Sequence, residues 1–283
     1  MNEGGDDGGL AVFLGSHRAG LHRLLPVGVR RGRETKMCVL KKKLKGAHMA
    51  IDRFPWDGFP AVWLHAEELV VKKHPDYAVA KAGDSDAAFR LVAALASDRV
   101  CSELRTAFPT GPTLVSAHAV ERDGLNAIPE ALAEFLAERL DWPVDPGVIQ
   151  INIVGHTGAD GFVRLARQAR FDGPVESQTE YFLVDDFIGQ GGTLANMRSF
   201  ILGKGGKVLG ATALTGKPYS VKLAVEKEII TQLRHKHGLD LEQWWLDRFG
   251  FGYDCLTHSE GNYLLRTPDA DRIRDRIAAA VEN

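Results

Sequence analysis

The chain has 283 residues, 45% apolar and 25% charged, with a formal net charge of −2. That length suits one large α/β domain or two small ones. The near-neutral balance gives no global field toward nucleic acid or a membrane surface, so the expected partners are small molecules. No apolar run approaches the ~18–20 residues of a membrane-spanning helix.

Cys38, Cys101 and Cys255 lie far apart and lack CxxC spacing. That argues against a disulfide framework and a structural zinc site. Three reduced thiols in a cytoplasmic protein is the expectation. The start, MNEGGDDGG, is polar and glycine-rich, and a basic stretch follows through Arg30, Arg31, Arg33, Lys36, Lys41, Lys42, Lys43 and Lys45. No apolar core of a secretory signal follows the charge. Residues 1–48 are expected to be a disordered leader, which includes an over-extended start with initiation at Met37 or Met49. A basic arm for an anionic partner is the other reading. A single domain is expected over 49–283.

Past Pro60 the pattern becomes globular. Asp84 or Ser85 caps an expected helix through Ala96, with Ala88, Leu91, Val92 and Leu95 on one face. Thr113–Ala119 reads as a short buried strand. A helix with Pro129 in its first turn follows, where the missing N–H costs nothing, and Ile128, Leu132, Phe135 and Leu136 line its inner face. Val148–Val154, VIQINIV, reads as the next strand, and a polar, arginine-bearing stretch follows. Tyr181–Val184 reads as a third strand and Thr193–Leu202 as a helix with Leu194, Met197 and Ile201 inward. Val208–Leu214 is a fourth strand. Strand alternating with helix predicts a doubly wound, mainly parallel α/β sheet, with ligand at the carboxyl ends of the strands. Beyond it come a helix over Leu223–His237, an aromatic stretch (Trp244, Trp245, Phe249, Phe251, Tyr253), and a last helix carrying Ile273, Ile277 and Val281.

The chemistry concentrates in residues 181–193, YFLVDDFIGQGGT. Four apolar residues make a buried strand, and Asp185 and Asp186 emerge at its carboxyl end. A loop of Gly189, Gln190, Gly191 and Gly192 then leads to Thr193 at a helix N-terminus. Glycines let backbone approach a ligand, and free N–H groups with the helix dipole favour a phosphate. Carboxylates beside that seat suit ribose hydroxyls and Mg²⁺. A dinucleotide loop fits less well, because the acids precede the glycines and Leu194 stands at the third glycine position. The Gly-Lys-Ser/Thr of a P-loop is absent. A methyltransferase-type loop and an ordinary strand-turn-helix with acidic decoration remain open.

This segment resembles the signature of type I phosphoribosyltransferases. It departs where Gly189 and Gln190 stand in place of Thr or Ser, and Phe187 is bulkier than usual. Thr113–Ala119, the turn through Glu121-Arg122-Asp123-Gly124 and the next helix look like that family's first strand and pyrophosphate loop. The resemblance covers about residues 110–215, with a small variable hood from the flanks. It implies Mg²⁺-dependent transfer of a 5-phosphoribosyl group from phosphoribosyl pyrophosphate to a nucleobase or amine. Asp185 and Asp186 would be the catalytic acids, with Asp185 on Mg²⁺, directly or through water. Residues 189–193 would seat the 5-phosphate. Arg122, Asp123 and Gly124 would meet the pyrophosphate.

The family carries a mobile loop between its second and third strands. Here Arg164, Arg167 and Arg170 fall in that stretch and are expected to close on pyrophosphate, with a solvated helix face as the alternative. His118, His156 and Lys217 follow strands and are read as structural or as ligand contacts. The aromatics over 244–253 fit a buried core edge or an acceptor stack. A homodimer is open, and no membrane or nucleic acid partner is expected. The alternative function is a non-catalytic regulatory protein that binds phosphoribosyl pyrophosphate or a nucleotide on the same fold.

Overall fold

The chain divides into two units, residues 1–47 and 48–283. A computed structural model describes residues 52–117, 120–121, 124–154 and 160–282. All of these lie in the second unit, so the expected leader falls outside the described residues. The elements begin with β1 (Trp63–Leu64), α1 (Glu68–Lys73), α2 (Tyr77–Lys81), α3 (Ser85–Leu95) and α4 (Asp98–Ala107). Then come β2 (Thr113–Ser116), β3 (Val120–Glu121), β4 (Gly124–Leu125), α5 (Ile128–Leu140), β5 (Ile149–Gln150), α6 (Gly161–Ala166) and β6 (Phe171–Asp172). β7 (Glu180–Ile188), α7 (Gly192–Gly203) and β8 (Lys207–Gly216) carry the candidate motif and its flank. The last helices are α8 (Lys227–His237), α9 (Leu239–Phe249), α10 (His258–Arg266) and α11 (Ala270–Glu282).

The main sheet runs β1-β8-β7-β2, and every pairing in it is parallel. β7 is central. Its run of apolar side chains is continuous rather than alternating because both faces are buried. Phe182 and Val184 pack with Leu214 against α3, α4 and α5. Tyr181 and Leu183 pack with Ala211 and Ala213 against Leu194, Met197 and Ile201 of α7. Helices therefore cover the parallel sheet on both faces, as the alternating pattern requires. Asp84 caps α3, its side chain accepting from Ala87 N at 2.8 Å. Ala88, Leu91 and Val92 are fully buried, as are Ile128, Leu132 and Leu136 of α5.

The structure corrects the expectation for Val148–Val154. Only Ile149–Gln150 forms a strand there, and it pairs antiparallel with β6 in a separate two-stranded sheet. The place beside β2 is held instead by the preceding segment. Leu114 N donates to Pro143 O at 2.8 Å, Asp145 N donates to Leu114 O at 2.9 Å, and Val144 bridges Leu114 in parallel. Ile149, Ile151 and Ile153 consequently lie exposed.

The stretch between β5 and β7 is the second correction. Its described part is packed rather than a loop. Asp160 caps α6 by accepting from Val163 N at 2.9 Å. Phe162 and Leu165 are buried in a third core cluster with Trp245, Leu264, Ile273 and Ile277. The Phe162 and Tyr263 rings meet edge-on at 5.0 Å, and Arg276 lies over Phe162 and pairs with Asp160. The apolar pair sits three residues apart, one helical turn, with Arg164 between them. β1, α1, α2 and α4 have no counterpart in the sequence reading, and Val281 is partly exposed rather than inward.

The aromatic stretch is core. Trp245 and Tyr253 are fully buried, with Phe249 and Phe251 stacked around Trp245. Trp245→Ala is expected to destabilise the domain by about 3–5 kcal/mol through the cavity it leaves. Urea unfolding monitored by far-UV circular dichroism measures this; a change below about 1 kcal/mol would return the ring to a ligand-facing role.

Candidate functional site

Near its carboxyl end β7 carries two acids that its pleat sends in opposite directions, and the strand runs on through Phe187 to Ile188, past the Val184 end expected from the sequence. Asp186 lies on the side of α2, where Lys81 Nζ approaches its Oδ2 at 2.9 Å. Asp185 is buried, and its Oδ1 accepts from Asp186 N at 2.8 Å. Burial, followed by the neighbouring Asp186 carboxylate, pushes the Asp185 carboxyl well above the usual carboxylate range. Its folded-state proton affinity therefore exceeds that of the unfolded chain. The stabilising contribution is complete below the ordinary aspartate range and is lost as pH rises through the raised folded value. Wild-type stability should fall with rising pH across that window, and Asp185→Asn should flatten the slope. Urea midpoints taken at a series of pH values measure this; parallel pH dependences for the two proteins would refute a raised Asp185.

Past Ile188 the chain turns through Gly189–Gly192 into α7. The carbonyls of this turn are held from behind. Ser220 Oγ donates to Gly189 O, and Thr257 Oγ1 donates to Gln190 O at 2.5 Å. Gly191 has φ +81°, and a Cβ there would overlap Leu223, so backbone and neighbour both require glycine. A Cβ on Gly192 would stand 2.9 Å from Glu260 Oε1. With its carbonyls turned inward, the loop leaves the N–H groups of residues 189–193 without a hydrogen-bond partner among the described residues. Such a row of donors at a helix start is an anion seat.

The support behind the loop is a buried ion pair. Arg53 Nη1 lies 2.6 Å from Glu260 Oε2, with the side chains 1% and 2% exposed. A second contact joins Arg53 Nη2 to Glu260 Oε1 at 3.0 Å, and Arg53 Nε donates to Asn196 Oδ1 of α7 at 2.6 Å. Glu260 also closes a capping box at the start of α10: Thr257 N donates to Glu260 Oε2 at 2.8 Å, and Glu260 N donates to Thr257 Oγ1 at 3.0 Å. The same Thr257 hydroxyl holds the Gln190 carbonyl. Arg53→Met leaves a buried carboxylate unpaired and should cost about 3–5 kcal/mol, with faster amide exchange in the first turn of α7, where Ala195 N donates to Gly191 O. Thermal melting and hydrogen exchange together check this, and unchanged exchange would separate the ion pair from the loop.

The predicted site residues do not all converge. Asp185, Asp186, Gly189, Gln190, Gly191, Gly192 and Thr193 lie together at the β7–α7 turn. Arg122 and Asp123 lie outside the described residues, as do His118 and His156, while Gly124 pairs with Glu121 across the β3–β4 ladder. Of the three spaced arginines, Arg164 alone is described against the glycine loop. Arg167 turns to α11, where its Nε donates to Ala280 O at 3.1 Å. Arg170 is anchored by its backbone, its N–H donating to Asn152 Oδ1 at 2.7 Å. Lys217 pairs with Glu68 at 2.5 Å, and Lys72 meets the same carboxylate at 2.6 Å. Lys72 also lies over the Phe187 ring, 5.0 Å from its centroid. Lys81, Arg53, Ser220, Thr257 and Glu260 were not anticipated. Thr257-x-x-Glu260 carried a legible capping-box signal, whereas no local pattern announces the other three.

Burial pushes the Cys255 thiol up to about 12, and Cys101 is raised for the same first cause. Shifts in this direction favour the thiol over the thiolate at neutral pH.

No family model matches the chain. It is 38% identical over 230 residues to Protein TraN of Escherichia coli, across 81% of this chain and 51% of that one. It is 34% identical over 152 residues to an uncharacterized protein of Haemophilus influenzae, across 53% of this chain and 34% of that one. The chain thus spans about half the length of the first relative and about a third of the second. Among solved structures, an adenine phosphoribosyltransferase superposes with TM-score 0.33 at 16% identity, over 54% of this chain and 76% of that one. A purine phosphoribosyltransferase from Pyrococcus horikoshii Ot3 gives 0.30 at 18%, over 48% and 75%. Superpositions this loose do not decide the fold, which rests on the parallel sheet and the helices on its two faces. No helix among the described residues is long and apolar enough to cross a membrane.

Proposed function

We propose that the chain is a phosphoribosyltransferase of the type I kind, acting on phosphoribosyl pyrophosphate and a nucleobase or amine. The observation that carries this reading is the juxtaposition at the end of β7. Two carboxylates are followed, after Phe187 and Ile188, by a loop whose carbonyls are tied inward and whose N–H groups are unpaired among the described residues. A phosphate on the loop leaves the attached ribose beside the acids. Departure of pyrophosphate builds positive charge on the ribose ring. Preorganised carboxylates stabilise that charge, and the loop fixes the sugar's position.

Among the described residues no three His, Cys, Asp or Glu side chains come together as a metal cage. The acid pair fits the other mode, in which one or two carboxylates hold Mg²⁺ along with substrate phosphates and waters. Asp185 would hold it there, directly or through water, and the ion would neutralise the leaving pyrophosphate.

The test is calorimetric binding of phosphoribosyl pyrophosphate with Mg²⁺, joined to a screen of nucleobases and amines for pyrophosphate release. Asp186→Asn is expected to lower turnover on the order of 10²-fold or more with little change in melting temperature. Wild-type-like turnover in that variant would remove the acid pair from the chemistry. Tight binding without release on any acceptor would make the protein a binding module.

A further inference from the structure

Position 189 is glycine, yet its backbone does not ask for one. Gly191 has a left-handed φ; Gly189 is not among the described glycines that do. The reason for glycine lies in a neighbour. A Cβ built on Gly189 would overlap Nη1 of Arg164 and stand 3.4 Å from its Cζ. A side chain at 189 would require the Arg164 guanidinium to shift from its present position.

Arg164 is not a surface arginine that happens to swing by. It projects from α6, whose Phe162 and Leu165 are locked in the third core cluster and whose N-terminus is capped by Asp160. Its side chain is half-buried, and burial lowers its pKa. A guanidinium starts so high that it stays charged at neutral pH. The result is a cation, carried on an anchored helix, placed against a loop with a row of backbone donors. Guanidinium and phosphate match in shape and charge, and they pair through two parallel hydrogen bonds.

We infer that Arg164 is the side-chain donor of the phosphate seat at Gly189–Thr193, and that glycine stands at 189 to admit its guanidinium. The inference rests on the reading of that loop under Proposed function and deepens it. The ligand class is a phosphate monoester such as the 5-phosphate of a ribose. The loop itself offers no hydroxyl at 189 or 190 to donate to such a phosphate. Here the donor comes from a neighbouring helix. Arg164 is thereby assigned to the monoester seat, apart from the pyrophosphate clamp expected from the Arg164, Arg167, Arg170 spacing.

The test is a reciprocal rescue, read by calorimetry with ribose 5-phosphate on wild type, Arg164→Ala, Gly189→Thr and the double variant. Arg164→Ala is expected to raise Kd about 10-fold or more, the usual weight of a charge-assisted hydrogen bond. Gly189→Thr is expected to raise Kd in the wild-type background, because it evicts the guanidinium. In the Arg164→Ala background the same change is expected to lower Kd, because it returns a hydroxyl donor. That reversal of sign is the signature of a matched pair. Additive losses, or an Arg164→Ala protein that binds like wild type, would overturn the inference while wild-type binding left the loop reading intact. Wild type that binds neither ribose 5-phosphate nor phosphoribosyl pyrophosphate would overturn both. Arg164→Lys guards against a misfolded threonine variant: it keeps the charge without the fork and should fall between wild type and Arg164→Ala. Equal loss in the lysine and alanine variants, with unchanged melting temperatures, would also overturn the assignment.

Discussion

The architecture around the candidate site hangs on one buried ion pair. Arg53 precedes the first strand and Glu260 lies in the first turn of α10, so the pair joins sequence positions more than 200 residues apart. Burying two charges is costly, and their attraction offsets that cost only when the remaining hydrogen-bond capacity is also met. Here it is met: Arg53 reaches Asn196 on α7, and Glu260 accepts from the Thr257 backbone. Any arrangement that parts the two leaves an unpaired charge in the core. The pair therefore acts chiefly as a constraint on geometry. It fixes where α10 begins, and Thr257 at that beginning holds the Gln190 carbonyl. The shape of the glycine loop is set from behind, by the far end of the chain.

The same site contains an electrostatic conflict. Two adjacent carboxyl groups at the end of a buried strand oppose folding, since burial and mutual repulsion both disfavour charge there. The fold relieves one side of this with Lys81 from α2, while burial and the Asp186 charge leave the Asp185 carboxyl raised above the usual carboxylate range. Strain of this kind persists where a ligand gives it a use. Around it stand Lys81 at the acids, Arg164 at Gly189, and Lys72 and Lys217 sharing Glu68. These cations come from α1, α2, α6 and the segment after β8, so different parts of the chain surround one pair of strand ends.

Several elements were legible because their signals are local. The Asp84 cap, the periodic apolar face of α3, Pro129 at the start of α5 and the apolar run of β7 each depend on neighbours within one or two turns. The β7–α7 turn was legible for the same reason, since acids, glycines and helix start are contiguous. VIQINIV shows where such reading stops. Its composition is that of a buried strand, but the edge of β2 is taken by the chain at Val144, and no local pattern reports that a neighbour's place is filled. The Arg164, Arg167, Arg170 spacing misled in a related way. Recurrence every third residue suggested a common target, while the buried Phe162 and Leu165 set the helix's orientation and the C-terminal helices drew Arg167 away.

By itself the sequence determined the alternation of strand and helix, the parallel doubly covered sheet that follows from it, and the place of the acid–glycine motif at a strand's carboxyl end. These follow from hydrophobic period and backbone preference, which act over a few residues. Only the tertiary structure decided which distant side chains meet that motif. Lys81 on Asp186, Arg164 in the space left by Gly189, Ser220 and Thr257 on the loop carbonyls, and Arg53 on Glu260 are all contacts across long stretches of chain. Their partners are chosen by how helices pack and where charge is left buried, and packing depends on the whole fold rather than on any segment of it.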